Sequence, residues 1–285
     1  MEQEQKTIER SPDRLAIQKK IREYELKGWF DKDVEDDPPT RPLKEGECDF
    51  TGKKFSTRVG TKIANFFARR HIDKQLAVPT FIIKKVNGLD NLDAVKEGAF
   101  ITCNHFNVCD NFAVYKVMQP LLDRDKRCLY KVIREGNYTS FPGLYGYFFR
   151  HCNTLPLSEN LSTLKEFYAG VKVLIERKEK ILIYPEQAMW WNYHKPRPLK
   201  DGAFNLAARN NAPVIPIFIT FEDSDVTGSD GFPVQAYTLN ILPAIYPDKD
   251  KSVKENSKLL REQNYNAWVK VYEEFYGKKL SYEIE

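Results

Sequence analysis

The sequence contains no long apolar run. No stretch of its 285 residues approaches the roughly 20 consecutive apolar residues that a membrane-spanning helix requires. The N-terminal residues are acidic and polar, which does not fit a secretory signal peptide. We therefore expect a cytoplasmic protein whose contact with a membrane, if it has one, is peripheral and on the inner face.

Cysteines, net charge and repeats are limited as well. The five cysteines are an odd number without the spacing of a disulfide framework, which indicates reduced thiols. A net charge of +4 is too small to indicate a nucleic-acid partner. The chain has no internal repeat and no low-complexity tract. Its 42% hydrophobic and 29% charged residues are typical of a globular chain, long enough for one large catalytic domain with a modest extension or for two small domains.

Residues 1–78 are predicted to form an N-terminal helical extension. A helix begins at Ser11-Pro12-Asp13, where a capping hydroxyl, a first-turn proline and an acid suit the positive end of the helix dipole. Gly28 fits the end of this helix. Prolines between residues 38 and 42 break regular structure, so residues 31–50 are expected to form a linker or a loop along the surface.

Positive charge is concentrated in one part of this extension. Between Lys53 and Gln75 there are seven Lys or Arg residues and one acid, Asp73. Over residues 56–72, apolar residues share one helical face and basic residues lie elsewhere: Val59, Ile63, Phe66 and Phe67 against Arg58, Lys62, Arg69 and Arg70. The pattern is typical of a helix lying in a membrane interface. It fits equally a surface helix whose apolar stripe packs on the domain.

From residue 80 onwards, strand patterns alternate with helical patterns. The predicted strands are Thr80–Val86, Ala99–Cys103, Arg127–Ile133, Thr154–Leu157, Lys180–Tyr184, Pro213–Phe221 and Tyr237–Leu242. The predicted helices are Asp110–Leu122, Leu161–Arg177, Asp201–Asn210 and Ser252–Tyr276. This alternation predicts an α/β domain over residues 79–285, with a mostly parallel central sheet flanked by helices. Functional sites in such sheets collect at the carboxyl ends of the strands.

A histidine and an aspartate follow the second predicted strand. His105 and Asp110 are five residues apart, so within one regular helix they would point away from each other. They can meet if His105 lies in the turn after the strand and Asp110 in the first helical turn. The carboxylate would then orient the imidazole, which could act as a general base. Alternatively, His105 is a satisfied loop histidine and Asp110 a helix cap.

Three further motifs follow in order. Pro185-Glu186 comes directly after an apolar strand, Lys200-Asp201-Gly202-Ala203-Phe204 opens a helix, and Pro213 and Pro216 begin another strand. Together with the histidine and the aspartate, this ordered set resembles the glycerolipid acyltransferase family, which includes the lysophosphatidate (1-acylglycerol-3-phosphate) acyltransferases. The resemblance runs from about Ile82 to Leu242.

The resemblance implies a function and a set of site residues. His105 would be the catalytic base and Asp110 its orienting partner, in a step of phospholipid biosynthesis. The donor would be acyl-coenzyme A or an acylated carrier protein and the acceptor a lysolipid, with no metal and no further cofactor. The residues expected to bind substrate are Asn104, Arg150, Pro185, Glu186, Lys195, Arg197, Lys200 and Gly202.

The sequence departs from the family pattern at two arginines. The motif that usually continues Pro-Glu-Gly-Thr-Arg continues here with Gln187-Ala188-Met189, and the stretch Thr154–Asn160 lacks the arginine that usually ends it. Since guanidinium groups are the usual grip on phosphate, other cations must replace them or the acceptor is not a simple glycerol phosphate. The candidate cations are Lys131, Arg134, Arg150, Lys195, Arg197 and Lys200, of which Lys195 and Arg197 are preferred. Trp190 and Trp191 could line an apolar acceptor pocket, touch a membrane or pack in the core.

Three other interpretations remain open at this stage. Cys103, His105, Cys109 and Asp110, with His151-Cys152, could hold a zinc ion, although paired Cys-x-x-Cys knuckles are absent. A non-catalytic lipid-binding module could keep the same fold. A thioester hydrolase could use the same base to activate water.

Overall fold

The computed structural model describes residues 8–36 and 39–283. Its centre is a seven-stranded sheet. The strands are β1 (Ile82–Asn87), β2 (Ala99–Cys103), β3 (Leu129–Arg134), β4 (Thr154–Leu157), β5 (Lys180–Ile183), β6 (Val214–Thr227) and β7 (Pro233–Ile241). The helices are α1 (Pro12–Leu26), α2 (Phe55–Ala77), α3 (Leu89–Ala94), α4 (Asp110–Asp125), α5 (Glu135–Thr139), α6 (Gly143–His151), α7 (Leu161–Glu176), α8 (Gly202–Arg209) and α9 (Val253–Tyr276).

The strand order across the sheet is β1-β7-β6-β2-β5-β3-β4. The five strands from β6 to β4 are parallel to one another, whereas β7 is antiparallel to β6 and parallel to β1. The predicted α/β fold with a mostly parallel central sheet is therefore confirmed. Because β2 lies between β5 and β6, the loop that follows β2 opens near the middle of the carboxyl edge.

Helices cover both faces of the sheet. Under α7, α8 and α9 lies one core cluster, which includes Phe100, Phe204 and Trp268. The second cluster lies under α2, α3 and α4 and includes Ile101 and Met118. All five residues of β2 are buried, as expected for a strand covered on both faces.

Most element bounds follow the sequence pattern, and the last hairpin is an exception. β6 continues to Thr227 and β7 begins at Pro233, four residues before the predicted start at Tyr237. Past Phe221 the chain is polar, with Glu222 and Asp223 next in line, so no apolar signal marks the extension. Antiparallel pairing with β7 carries β6 beyond the core.

Three short helices, α3, α5 and α6, are not predicted by the sequence pattern. The stretch Val86–Leu92 looks like a strand and a turn, but β1 ends at Asn87 and Gly88, at φ 73°, turns the chain into α3. Helix α6 contains Gly143 and Gly146 among aromatic residues, a composition that does not favour helix on its own. These helices depend on tertiary packing.

The N-terminal segment packs on the sheet domain. Ile21 of α1 joins Phe30 and Val34 in a buried cluster with Trp190 and Trp191. In the described part of this stretch, residues 31–36 and 39–50 follow the surface as a loop and insert apolar side chains, the second of the two predicted options. The division of the chain into an extension, residues 1–78, and a domain, residues 79–285, stays a prediction, and residues 1–7 lie outside the described part.

No helix in the described ranges is both long enough and apolar enough to cross a bilayer. The helix predicted over residues 56–72 is present as α2 and is longer at both ends. Its position in a membrane interface stays a prediction.

Candidate active site

His105 and Asp110 meet at the carboxyl edge of the sheet. His105 lies in the loop after β2, and Asp110 is the first residue of α4. The Nδ1 atom of His105 is 2.7 Å from Oδ2 of Asp110. The Asp110 side chain is fully buried, whereas that of His105 remains 22% exposed. The pair therefore has the arrangement of a base and its orienting carboxylate, with the imidazole partly exposed.

The loop between them is organised around the Asp110 carboxylate. Oδ2 also accepts from the backbone N–H groups of Phe106, at 3.2 Å, and Asn107, at 3.3 Å. The Asn107 side chain in turn accepts from the N–H of Cys109 at 3.1 Å. A negative charge at the start of α4 is favoured by the helix dipole, so the local chain geometry and the carboxylate support each other.

Tyr184 completes the site and was not identified from the sequence. Its hydroxyl donates to Oδ1 of Asp110 at 2.7 Å, and its ring stacks on the His105 ring with centroids 4.0 Å apart. Burial raises the pKa of Tyr184 well above its ordinary value, and the Asp110 carboxylate raises it further. The hydroxyl is therefore a permanent donor. Its position after β5, the neighbour of β2, was the signal in the sequence that could have revealed it.

We predict that Tyr184→Phe lowers kcat about tenfold, a change of about 1.4 kcal/mol in the activation free energy. The ring would keep its place on His105, but the buried Oδ1 of Asp110 would lose a donor, which costs about 1–3 kcal/mol. Steady-state kinetics and thermal unfolding measure the two effects. Unchanged kcat would show that the hydroxyl does not support the pair.

Glu186 and Arg197 are not placed in an open acceptor site. Glu186 is buried, and its carboxylate accepts from the backbone N–H of His105 at 3.0 Å. Arg197 is 1% exposed and pairs with Glu186 at 3.0 Å. The predicted contact of these two residues with the acceptor stays a prediction. Both side chains are buried in this structure, where each contacts the other and the surrounding main chain.

The other predicted cations are also engaged. Lys195 bonds to Glu25, and Lys200 bonds to Asp31, both in the N-terminal segment. The guanidinium of Arg150 lies 3.4 Å from the carbonyl oxygens of Tyr138 and Phe141. The preferred phosphate site at Lys195 and Arg197 stays a prediction, and both cations contact the N-terminal segment in this structure.

The remaining predicted residues make structural contacts or lie at the surface. Asn104 is buried and joins the end of β2 to β6 through paired hydrogen bonds with the backbone of Ile219. The carbonyl of Pro185 accepts from the N–H of Lys200 at 2.9 Å. Gly202 is exposed at the start of α8, without a contact to His105. Trp190 and Trp191 are buried, so the core-packing option holds for both.

Two candidate cations lie on β3, next to β5. Lys131 pairs in register with Leu182, and its ammonium lies over the Tyr115 ring at 5.8 Å. Burial lowers the pKa of Lys131. Arg134, at the end of the strand, pairs with Asp33 at 2.7 Å.

The zinc interpretation finds no support in the described ranges, where no group of three or more His, Cys, Asp or Glu side chains could hold a metal ion. All five cysteines are free thiols. Burial raises the pKa of Cys103 well above its ordinary value and that of Cys109 to about 12. Both therefore stay protonated at neutral pH, whereas a metal ligand or a nucleophile would be a thiolate.

The acyltransferase family model matches residues 84–220. No curated protein matches the chain. Among solved structures, the chain is similar to the crystal structure of the 1-acyl-sn-glycerophosphate (LPA) acyltransferase PlsC from Thermotoga maritima, with 16% sequence identity, a TM-score of 0.49, and coverage of 79% of this chain and 83% of that chain.

The matched segment includes His105, Asp110, Tyr184 and Glu186. The family resemblance predicted from the ordered motifs is thereby confirmed. Residues 84–220, a little under half of the chain, match the acyltransferase domain.

Proposed function

We propose that the protein transfers a fatty acyl group from a thioester donor, acyl-coenzyme A or an acylated carrier protein, to the hydroxyl of a lysophospholipid-like acceptor. The observation that carries this proposal is the hydrogen bond between the partly exposed His105 and a buried carboxylate, Asp110. This arrangement suits general-base catalysis on an alcohol that the substrate itself supplies.

In the proposed mechanism, Asp110 holds the proton on Nδ1 of His105, which leaves Nε2 free to act as a base. Nε2 takes the proton of the acceptor hydroxyl as its oxygen attacks the thioester carbonyl carbon. The tetrahedral intermediate then expels the thiolate, which takes the proton back from the imidazolium. An ester and a free thiol are the products. The thioester is already activated, so we expect no metal and no cofactor to take part.

For the acceptor, an anionic head group agrees best with the cations near the site. Lys131 and Arg134 lie on β3, two strands from β2, a distance of about 10 Å. The lysophosphatidate-type acceptor is thus our proposal, and an acceptor without glycerol phosphate is the alternative, because both usual arginines are missing.

The proposal is tested by incubating the purified protein with palmitoyl-coenzyme A and a panel of lysolipids, followed by mass spectrometry of the products. We expect one acylated lysolipid to form together with an equal amount of free thiol. Binding of lysolipids without any product would favour the non-catalytic module. Equal release of thiol without an acceptor would favour the hydrolase.

We also propose that α2 and α6 rest on an anionic membrane surface. Their exposed apolar residues, here called the α2–α6 surface, are Phe55, Val59, Ile63, Phe66, Phe67, Leu144 and Tyr145. The two helices are in contact at Gly60, where the Tyr147 hydroxyl donates to the Gly60 carbonyl at 3.1 Å. The α2–α6 surface would hold the protein on the cytoplasmic face of the membrane from which the acceptor is taken.

Charge beside the α2–α6 surface supports a lipid partner. The Arg70 guanidinium lies over the Phe66 ring at 4.5 Å, and that of Arg58 is 6.0 Å from the Phe55 ring. Arg69, in contrast, turns inwards and pairs with Asp123 of α4. Aromatic side chains flanked by cations are favoured at the interface of anionic bilayers.

We predict that replacing Phe66 and Phe67 by serine weakens binding to vesicles of phosphatidylglycerol and phosphatidylcholine. The two rings are 52% and 54% exposed. Partial insertion of both is worth about 2 kcal/mol, so the partition coefficient should fall more than about tenfold. Co-sedimentation measures it. Leu161→Ser, which removes an exposed apolar residue from α7 on the opposite face, is the control. Equal binding by both variants would refute the assignment of this surface.

A further inference from the structure

The Glu186–Arg197 ion pair lies directly behind the His105 loop. Oε2 of Glu186 accepts from the N–H of His105 at 3.0 Å and from Nη2 of Arg197 at 3.0 Å. Oε1 accepts from the backbone N–H of Arg197 at 2.8 Å. The main chain of His105 is therefore held by Glu186, while its ring is held by Asp110.

Arg197 ties this carboxylate to the N-terminal segment. Its Nη1 donates to the carbonyl of Phe30 at 2.9 Å, and its Nη2 donates to the carbonyl of Ala188. The guanidinium also lies 4.8 Å from the centroid of the Trp190 ring. The backbone N–H of Trp190, in turn, donates to the His105 carbonyl at 3.1 Å. The buried Arg197 guanidinium thus connects the N-terminal segment to His105 in two ways. It reaches the His105 N–H through Glu186, and its Nη2 lies 3.5 Å from the His105 carbonyl oxygen.

We propose that Glu186 and Arg197 are positioning residues for His105, and that their charge balance sets how readily the His105 ring accepts a proton. This inference rests on the proposed function, since it assigns the pair to the same base. In this proposal Glu186 acts on His105 through the main chain and does not bind the acceptor. It also gives the N-terminal segment, through Phe30, a part in the geometry of the site.

Four charged or polar groups surround His105. Asp110 and Tyr184 contact the ring, and Glu186 and Arg197 contact its backbone. With both members of the pair present, their charges nearly cancel at the ring. Removing one leaves a single charge in a buried position, where solvent screens it poorly.

The two single variants should therefore act in opposite directions. Arg197→Gln leaves the Glu186 carboxylate, still held by two backbone N–H donors, and this negative charge favours the imidazolium. Glu186→Gln leaves the Arg197 cation, which disfavours the imidazolium. Because the base must be neutral to accept a proton, the acid limb of kcat/KM should move to higher pH in Arg197→Gln and to lower pH in Glu186→Gln.

The test compares the full-length wild type with Glu186→Gln, Arg197→Gln and the double variant. We expect each single variant to lower kcat about 10- to 100-fold while KM changes little, as a displaced catalytic group does. The acid limb should shift by about one pH unit in each single variant, with opposite signs, and return towards the wild-type position in the double variant. Arg14→Gln, which breaks an ion pair with Glu35 in the same segment, is the control and should leave kcat unchanged.

A second readout makes the test independent of turnover. The titration of the His105 ring, followed by NMR of its C–H protons, should show the same opposite shifts in the isosteric Glu186→Gln and in Arg197→Gln. If the wild type turns over no acceptor, the proposed function fails, and the NMR midpoints still decide on the positioning role. Loss of thermal stability alone, with the same kcat, pH profile and ring titration as the wild type, would overturn the inference.

Discussion

His105→Ala should lower kcat for acyl transfer by about 10²–10⁴-fold, the usual contribution of a positioned general base. The acceptor hydroxyl would then have to lose its proton to water at the moment of attack. The fold should survive, because the imidazole is partly exposed and its removal leaves the Asp110 carboxylate with the N–H donors of Phe106 and Asn107 and the hydroxyl of Tyr184. Initial rates with palmitoyl-coenzyme A and the preferred acceptor measure the loss.

His71→Ala is the matched control for this variant. His71 is an exposed histidine of α2 whose ring is 5.9 Å from that of Phe112, in the first turn of α4. Its removal should leave kcat within about twofold of the wild type, as expected of a surface substitution. A similar loss in both variants, or full activity in His105→Ala, would be incompatible with a catalytic base at residue 105.

Asp110→Asn should also lower kcat strongly, by about 10²–10⁴-fold, as expected when the charge behind a catalytic imidazole is removed. The amide can keep the local hydrogen bonds if its oxygen faces His105 and its nitrogen donates to the Tyr184 hydroxyl. The fold should therefore be retained in this variant. The negative charge that stabilises the imidazolium would nevertheless be lost. The change should appear in kcat with KM nearly unchanged.

Asp123→Asn, in the last turns of the same helix, controls for the loss of a carboxylate in α4. Asp123 forms a partly exposed ion pair with Arg69, a type of contact worth about 0–1 kcal/mol. We expect its kcat to match that of the wild type. If Asp110→Asn kept full activity, the carboxylate would serve only as a helix cap, which is the alternative that the sequence leaves open.

Much of the fold could be predicted because its core strands carry a strong signal. β2 and β4 have the predicted bounds, since short apolar runs bounded by polar residues mark buried strands. Helix α6 could not be predicted. It is nine residues long, contains two glycines, and is stabilised by contacts such as that of Tyr147 with Gly60, far away in the sequence.

The candidate site was predictable where its residues are close in sequence. His105 and Asp110 lie in one strand–loop–helix unit, so their spacing and the strand before them indicate the contact. Tyr184, the residue after β5, is 74 residues beyond Asp110 in the chain, and the order of the strands in the sheet brings it to the pair.

The contacts of the candidate cations could not be predicted for the same reason. Lys195 finds its partner, Glu25, 170 residues earlier in the chain, and Arg197 bonds to the carbonyl of Phe30, 167 residues earlier. No local sequence pattern predicts such contacts. A basic residue beside a substrate motif therefore looks available in the sequence even where the fold has already engaged it.

The most direct test of the account uses an acceptor whose free hydroxyl is replaced by a thiol. A thiol ionises near pH 8.5 without assistance, so it needs the base far less than an alcohol does. Product formation with the hydroxyl and the thiol acceptor would be compared in the wild type and His105→Ala by mass spectrometry at pH 8.5. If His105 removes the hydroxyl proton, the variant should lose activity with the alcohol and retain most of it with the thiol. An equal loss with both acceptors would contradict proton removal by His105.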